Sequence, residues 1–198
     1  MNIAIYCGSS CGSDKIYQKK TELLAQKLAA KNFNIVYGGS LQGLMGVFSN
    51  ESLKQGNYVI GVITHDLVSK EIENKSISKI YKVDTMNQRK EKMEELSDGF
   101  IALPGGYGTF EEIFDVISSA QIGYHKKPCA FYNINGYYDK LIDFLNSCEK
   151  EGFIKKDYID MLIFSDDEDE IIEKISKYQA PKDKWHWKST FYLIMMAF

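Results

Sequence analysis

Seven short apolar runs, separated by stretches of helical length, constrain what this chain can fold into more than any other feature. They cover residues 2–6, 34–37, 58–63, 79–83, 99–103, 128–132 and 161–164. Most are continuous rather than strictly alternating, as strands buried on both faces of a parallel sheet are. Between them, amphipathic patterns at 14–31, 41–55, 86–96, 110–122, 137–150 and 168–178 read as helices, the first with Leu23, Leu24 and Leu28 on one side. This β-α-β rhythm predicts an α/β fold, a doubly wound parallel sheet flanked by helices. Ser13 and Asp14 are placed to cap the first helix, and Gly56 to stop the second.

At 198 residues the chain suits one α/β domain with a full core. No fixed-period repeat, low-complexity tract or Pro/Gly linker divides it. We expect a single domain over residues 1–180 and a C-terminal tail over 181–198. The tail ends in the nearly all-apolar stretch 191–198, far short of the ~18 apolar residues of a membrane span and expected to cover a subunit surface. The acidic run 166–170 is expected to be the solvated, dipole-favoured first turn of the last helix rather than a metal site.

Charge excludes some partners. Against 27 acidic side chains stand 24 basic ones, for a net charge of -3, so nucleic acid and anionic membranes are not attracted at long range. Any phosphate ligand must be held locally. Cys7, Cys11, Cys129 and Cys148 follow no disulfide or zinc spacing, and the first residues lack a basic signal-peptide region, which together lead us to expect a cytoplasmic protein with reduced thiols. Of the basic residues only Arg89 is an arginine, the side chain whose rigid planar fork grips an oxyanion through two parallel bonds.

Three strands run into glycine-rich turns that open helices: Cys7-Gly8-Ser9-Ser10, Gly38-Gly39-Ser40 continuing to Gly46, and Pro104-Gly105-Gly106-Tyr107-Gly108-Thr109. In a parallel sheet all three lie at the carboxyl edge, where ligands of open α/β sheets bind. Glycine lets a ligand approach the main chain, and the following helix aims unpaired N–H groups at an anion. The turns match neither the P-loop nor the G-x-G-x-x-G fingerprint, which favours a single compact phosphate. Beyond the third turn come Glu111 and Glu112, about 100° apart on a helix, so only one can face the glycine-rich edge. Ile113, Val116 and Ile117 mark the apolar side, which sets Glu112 inward and Glu111 outward. Met86-Asn87-Gln88-Arg89-Lys90 opens the preceding helix and brings the sole arginine to the same end of the sheet.

These residues resemble a known family. Val36-Tyr37-Gly38-Gly39 with Gly43-Leu44-Met45-Gly46, Arg89-Lys90, and above all the PGGxGTxxE string from Pro104 to Glu112 are similar to the LOG ("lonely guy") family of cytokinin riboside 5′-monophosphate phosphoribohydrolases, long described as possible lysine decarboxylases. The resemblance covers about residues 1–153, including Gln121-Ile122-Gly123, Lys127-Pro128 and Gly136-Tyr137-Tyr138. It implies a Rossmann-like fold, at least homodimeric, that cleaves a nucleoside 5′-monophosphate to free base and ribose 5-phosphate without metal or organic cofactor. It also implies that Arg89 and Glu112 are catalytic, and that Gly38, Gly39, Gly105, Gly106, Gly108 and Thr109 form the phosphate and ribose site, joined by Gly8 and Ser9. Lys90 beside the arginine, Met86 and Tyr107 complete the expected substrate-binding set, Met86 lining pocket or core and Tyr107 stacking on the base or packing. Asn87 and Ser40 depart from the family's usual His or Tyr and third glycine, which bears on base preference.

N-glycoside hydrolysis passes through an oxocarbenium-like ribosyl cation, which a carboxylate stabilises while it takes a proton from the attacking water. Glu112 is the candidate, with Arg89 holding the substrate and keeping that carboxylate ionised. His65 borders the edge of a strand, His125 lies in a polar loop, and His186 lies in the tail; none is assigned a role. Two other classes stay open: a pyridoxal-phosphate decarboxylase, for which no Schiff-base lysine stands out, and a nucleotide-binding or carrier module without catalysis.

Overall fold

The structure, a computed structural model, describes residues 1–70 and 73–182, the side chains of 69 and 70 excepted. Among the described residues seven strands form one sheet: β1 (Asn2–Tyr6), β2 (Asn34–Tyr37), β3 (Val59–Thr64), β4 (Lys79–Val83), β5 (Gly99–Ala102), β6 (Cys129–Tyr132) and β7 (Leu162–Ser165). All neighbouring strands are parallel, in the order β4-β3-β2-β1-β5-β6-β7. From β1 the chain first builds outward to β4, then returns to add β5 on the other side. The order therefore reverses between β1 and β5, where Tyr6 is in register with Ala102, and a crevice opens beyond that switch point.

The helices are α1 (Lys15–Ala30), α2 (Gly43–Lys54), α3 (His65–Lys70), α4 (Met86–Leu96), α5 (Tyr107–Ile122), α6 (Asp139–Lys150), α7 (Lys156–Asp160) and α8 (Glu168–Ser176), with a 3-10 turn at Ile134–Gly136. Successive strand residues point to opposite faces, and the core divides accordingly. Ile3 and Ile5 meet Leu24 and Leu28 of α1, Phe48 of α2 and Ile171 of α8. Ala4 and Tyr6 meet Met93 of α4, Ile113 and Val116 of α5, and Tyr138. The doubly wound architecture expected from the sequence is thus present, with helices on both faces of the sheet.

Local chemistry sets the ends. The Asp14 carboxylate accepts the Ile16 N–H at 2.9 Å and starts α1. At α4, Thr85 and Gln88 form a reciprocal capping box, which fixes where the helix carrying the arginine begins. Gly123 closes α5 in the left-handed region at φ 89°. α5 begins at Tyr107, earlier than the residue 110 expected from sequence, because the bend is complete at Gly105–Gly106 and Gly108 already lies in the first helical turn.

Other differences have simple causes. The short α3 and α7 are single turns or little more, too brief to show a 3.6-residue period. The acidic run is only partly solvated: Asp167 caps α8 through the Glu170 N–H at 2.8 Å, but Glu168 is buried, held by the Tyr132 hydroxyl and by Lys20 Nζ at 2.9 Å. The tail expected to cover a subunit surface, apart from Pro181 and Lys182, lies outside the described residues, as does His186. Among the described residues no helix is long and apolar enough to cross a membrane.

Candidate active site

The three glycine-rich turns meet at the carboxyl edge. The Gly8 N–H donates to Pro104 O at 3.1 Å, and the Leu44 N–H donates to Gly8 O at 3.0 Å, so the turn after β1 is pinned between the other two. Contact here is backbone to backbone. A Cβ on Gly105 would stand 2.1 Å from Thr109 Oγ1 and 2.9 Å from Gly8 N; one on Gly43, at φ +53°, would stand 2.3 Å from the carbonyl carbon of Ser9. Side chains are excluded at both positions.

Gly106 and Gly108 differ: a Cβ on either would meet nothing within 4 Å. Their surroundings leave room for another molecule to approach the main chain. Among the described residues no side chain caps the head of α5. Among the described residues, the N–H groups of Gly105, Gly106, Tyr107, Gly108 and Thr109 have no hydrogen-bond acceptor, so the positive end of the helix faces outward undischarged.

Beside this helix head lies a cavity of about 290 Å³. Gly8, Ser9, Ser10, Gly105 and Gly106 form its polar rim, and Cys11, Tyr17, Leu44 and Tyr137 its apolar wall. Those wall residues were not singled out from the sequence as site residues. Tyr137 lay within the quoted Gly-Tyr-Tyr segment, the one signal that pointed to it.

Arg89 on α4 and Glu112 on α5 face each other, each only 7% exposed, with Nη1 2.7 Å from Oε1. Arg89 Nε also donates to Val62 O at 3.0 Å, and a Cβ on Gly38 would stand 2.4 Å from its Nη2. The guanidinium therefore lies across the ends of β2 and β3 and reaches to α5. Glu111 points outward and pairs with Lys90 Nζ at 2.9 Å, the orientation read from the helical pattern. Lys90 also meets Asp115 at 3.3 Å, so its ammonium ties α4 to α5. Burial first, and then the negative charge of Glu112, push the ionisation of Tyr6 and Cys7 upward, a sign that the carboxylate acts at the end of β1.

The sequence brings the arginine, the acid and the turns to one end of the sheet, and the structure divides that end in two. Arg89 and Glu112 stand on the face of α4 and α5, whereas the 290 Å³ cavity opens toward α1 and α2 and its wall does not include them. The head of α5, from Gly105 to Thr109, joins the two. Gly39 sits at φ +79° with its carbonyl taken by the Asn74 N–H at 2.9 Å, which fixes the turn after β2 behind the pair. Thr109 is buried against Gly105. Tyr107 is 94% exposed and Met86 41% exposed, so neither belongs to the core of its own chain.

The histidines lie apart. His65 is exposed, 3.9 Å from Asp84. His125 is buried rather than set in an open polar loop, its ring centroid 5.5 Å from that of Phe100 and its Nδ1 accepting the Lys127 N–H at 3.1 Å.

Known proteins resemble this chain in sequence and in fold. Residues 45–175 match the family model described as possible lysine decarboxylase. The chain is 41% identical over 182 residues to the probable cytokinin riboside 5′-monophosphate phosphoribohydrolase LOGL2 of Oryza sativa subsp. japonica, covering 92% of this chain and 75% of the relative. It is 37% identical over 192 residues to the cytokinin riboside 5′-monophosphate phosphoribohydrolase LOG2 of Arabidopsis thaliana, covering 95% and 90%. Among solved structures, the Moco carrier protein from Chlamydomonas reinhardtii superposes with a TM-score of 0.67 at 15% identity, covering 89% of this chain and 95% of that one, a likeness of fold alone.

Proposed function

Because the chain belongs to the LOG family of cytokinin riboside 5′-monophosphate phosphoribohydrolases, we propose that it hydrolyses the N-glycosidic bond of a nucleoside 5′-monophosphate, a cytokinin riboside 5′-monophosphate or AMP, to free base and ribose 5-phosphate. The observation that carries the reading to particular residues is a buried Arg89–Glu112 pair, 2.7 Å apart, beside a helix head with undischarged amides.

In this reading the 5′-phosphate rests on the head of α5, where Gly106 and Gly108 admit it and Thr109 and Gly105 shape the turn; Gly8, Ser9, Gly38 and Gly39 hold the neighbouring main chain in place. The bond from ribose C1′ to the base nitrogen breaks as positive charge builds on the ribose ring. Glu112 stabilises that charge and takes a proton from the water whose oxygen adds to C1′, and that same proton passes on to the nitrogen of the departing base. Arg89 keeps Glu112 ionised and fixed in direction, the guanidinium itself being tied to Val62. Lys90 holds α4 against α5 through Glu111 and Asp115, and so sets the distance across which Arg89 and Glu112 meet.

The exposed Tyr107 and Met86, close to the heads of α5 and α4, support a homodimer in which a second subunit covers the rim of the site. Four free cysteines support a cytoplasmic setting. The test is chromatography of base and sugar phosphate after incubation with AMP, a cytokinin ribotide and the matching nucleosides. Equimolar base and ribose 5-phosphate from the nucleotides, and little from the nucleosides, is the expected outcome; release from neither nucleotide contradicts it.

A further inference from the structure

The turn that leads into α5 is held from outside by two consecutive tyrosines of the segment between β6 and α6. The Tyr138 hydroxyl donates to Leu103 O at 2.6 Å, and the Tyr137 hydroxyl donates to Gly105 O at 2.5 Å. Between them, Pro104 O accepts the Gly8 N–H at 3.1 Å. Three successive carbonyls of this turn are thus each assigned a donor.

The consequences for the amides differ. In a trans peptide the C=O of one residue and the N–H of the next point in opposite directions. Among the described residues no peptide bond is cis. Residue 104 is proline, so the Tyr138 bond orients no N–H and serves the framework alone. Tyr137 is different: by holding the Gly105 carbonyl it turns the Gly106 N–H away from itself, and that amide belongs to the N-cap residue of α5.

Tyr137 is itself held. Its N–H donates to Ile134 O at 3.1 Å, its ring stands edge-on to Tyr17 at 6.1 Å and to Tyr138 at 5.0 Å, and Gly136 precedes it at φ +69° in a turn that leaves no room for a Cβ beside Asp139. The ring also lines the 290 Å³ cavity, yet the residue is 39% exposed. Its hydroxyl is therefore not a core requirement.

We propose that Tyr137 is a positioning residue for phosphate recognition: its hydroxyl, through the Gly105 carbonyl, aims the Gly106 N–H at the 5′-phosphate of the substrate. This rests on the assignment of the α5 head as the phosphate site. Losing one such hydrogen bond from the orienting shell weakens binding roughly fivefold, within a range of about three- to tenfold.

The test uses Tyr137→Phe, which keeps the ring, beside Tyr137→Leu, which removes it. Calorimetric titration with AMP, ribose 5-phosphate and adenosine reads the phosphate contribution directly and needs no turnover. Both variants are expected to bind AMP and ribose 5-phosphate roughly fivefold more weakly, with adenosine affinity and the thermal midpoint of Tyr137→Phe unchanged. In steady-state kinetics the same variant raises KM and leaves kcat nearly as it was. Wild-type affinity of Tyr137→Phe for ribose 5-phosphate overturns the proposal, as does an equal loss for adenosine, or a wild-type protein that binds neither phosphate-bearing probe. Weakened ribose 5-phosphate binding in a protein that releases no base would keep the proposal and refute the hydrolytic reading.

Discussion

Gly38→Ala isolates the placement of the arginine from its chemistry. The added Cβ would stand 2.4 Å from Arg89 Nη2 and 3.0 Å from Met45 Sδ. Ordinary contact is about 3.5 Å, so the guanidinium must retreat by about 1 Å. It cannot do so and keep both the 3.0 Å bond to Val62 O and the 2.7 Å contact with Glu112. Overpacking costs about 1–3 kcal/mol. A weakened charged hydrogen bond costs about 1.5–3 kcal/mol, of which only part is lost on stretching. The expected sum is about 3 kcal/mol, read in urea as a lower midpoint with an unchanged slope. A shift of about 1 Å in a positioning group also lowers turnover by about 10²-fold, measured as base released from AMP. A variant with the wild-type midpoint and turnover within about threefold would refute the reasoning, because glycine at 38 would then not be required by the guanidinium.

Further outcomes separate packing glycines from ligand glycines and test the buried histidine. Gly105→Ala, whose Cβ would lie 2.1 Å from Thr109 Oγ1, is expected to destabilise the fold by about 3 kcal/mol, whereas Gly106→Ala, with nothing within 4 Å, keeps the thermal midpoint and weakens AMP binding; equal midpoints for the two would contradict the distinction. His125 is held below its ordinary value of 6.5, first by burial and then by the Lys127 charge. As pH falls through about 6.5 the unfolded chain takes the proton first, so the stability linked to the neutral ring is complete above that pH and lost below it. His125→Phe should lose less stability than wild type between about pH 7 and pH 5, and parallel pH curves for the two proteins would exclude this role.

Much of this was legible in the sequence because it depends on local pattern. Strands at 2–6 and 34–37 are found at the expected bounds, since a buried parallel strand is a continuous apolar run ended by a turn; the edge strand at 79–83 is found at its expected bounds too, although two lysines interrupt it. Glu112 is set inward by Ile113, Val116 and Ile117 along its helix, and it is buried while Glu111 is not. Lone arginine and inward acid meet as their positions implied. What was not legible is long-range. Nothing local tells that Tyr17 and Tyr137, 120 positions apart, wall one cavity, or that this wall excludes Arg89 and Glu112. Neither does a sequence show His125 covered by Phe100, because its neighbours Lys126 and Lys127 suggest water.

Base release by Glu112→Gln tests the central claim most directly. The substitution keeps the shape of the side chain beside Arg89 but removes the charge that stabilises the ribosyl cation and accepts the water proton. With AMP or a cytokinin ribotide at saturation, and folding verified by thermal unfolding, turnover is expected to fall by about 10²- to 10⁴-fold. A folded Glu112→Gln protein that releases base at close to the wild-type rate would contradict the account.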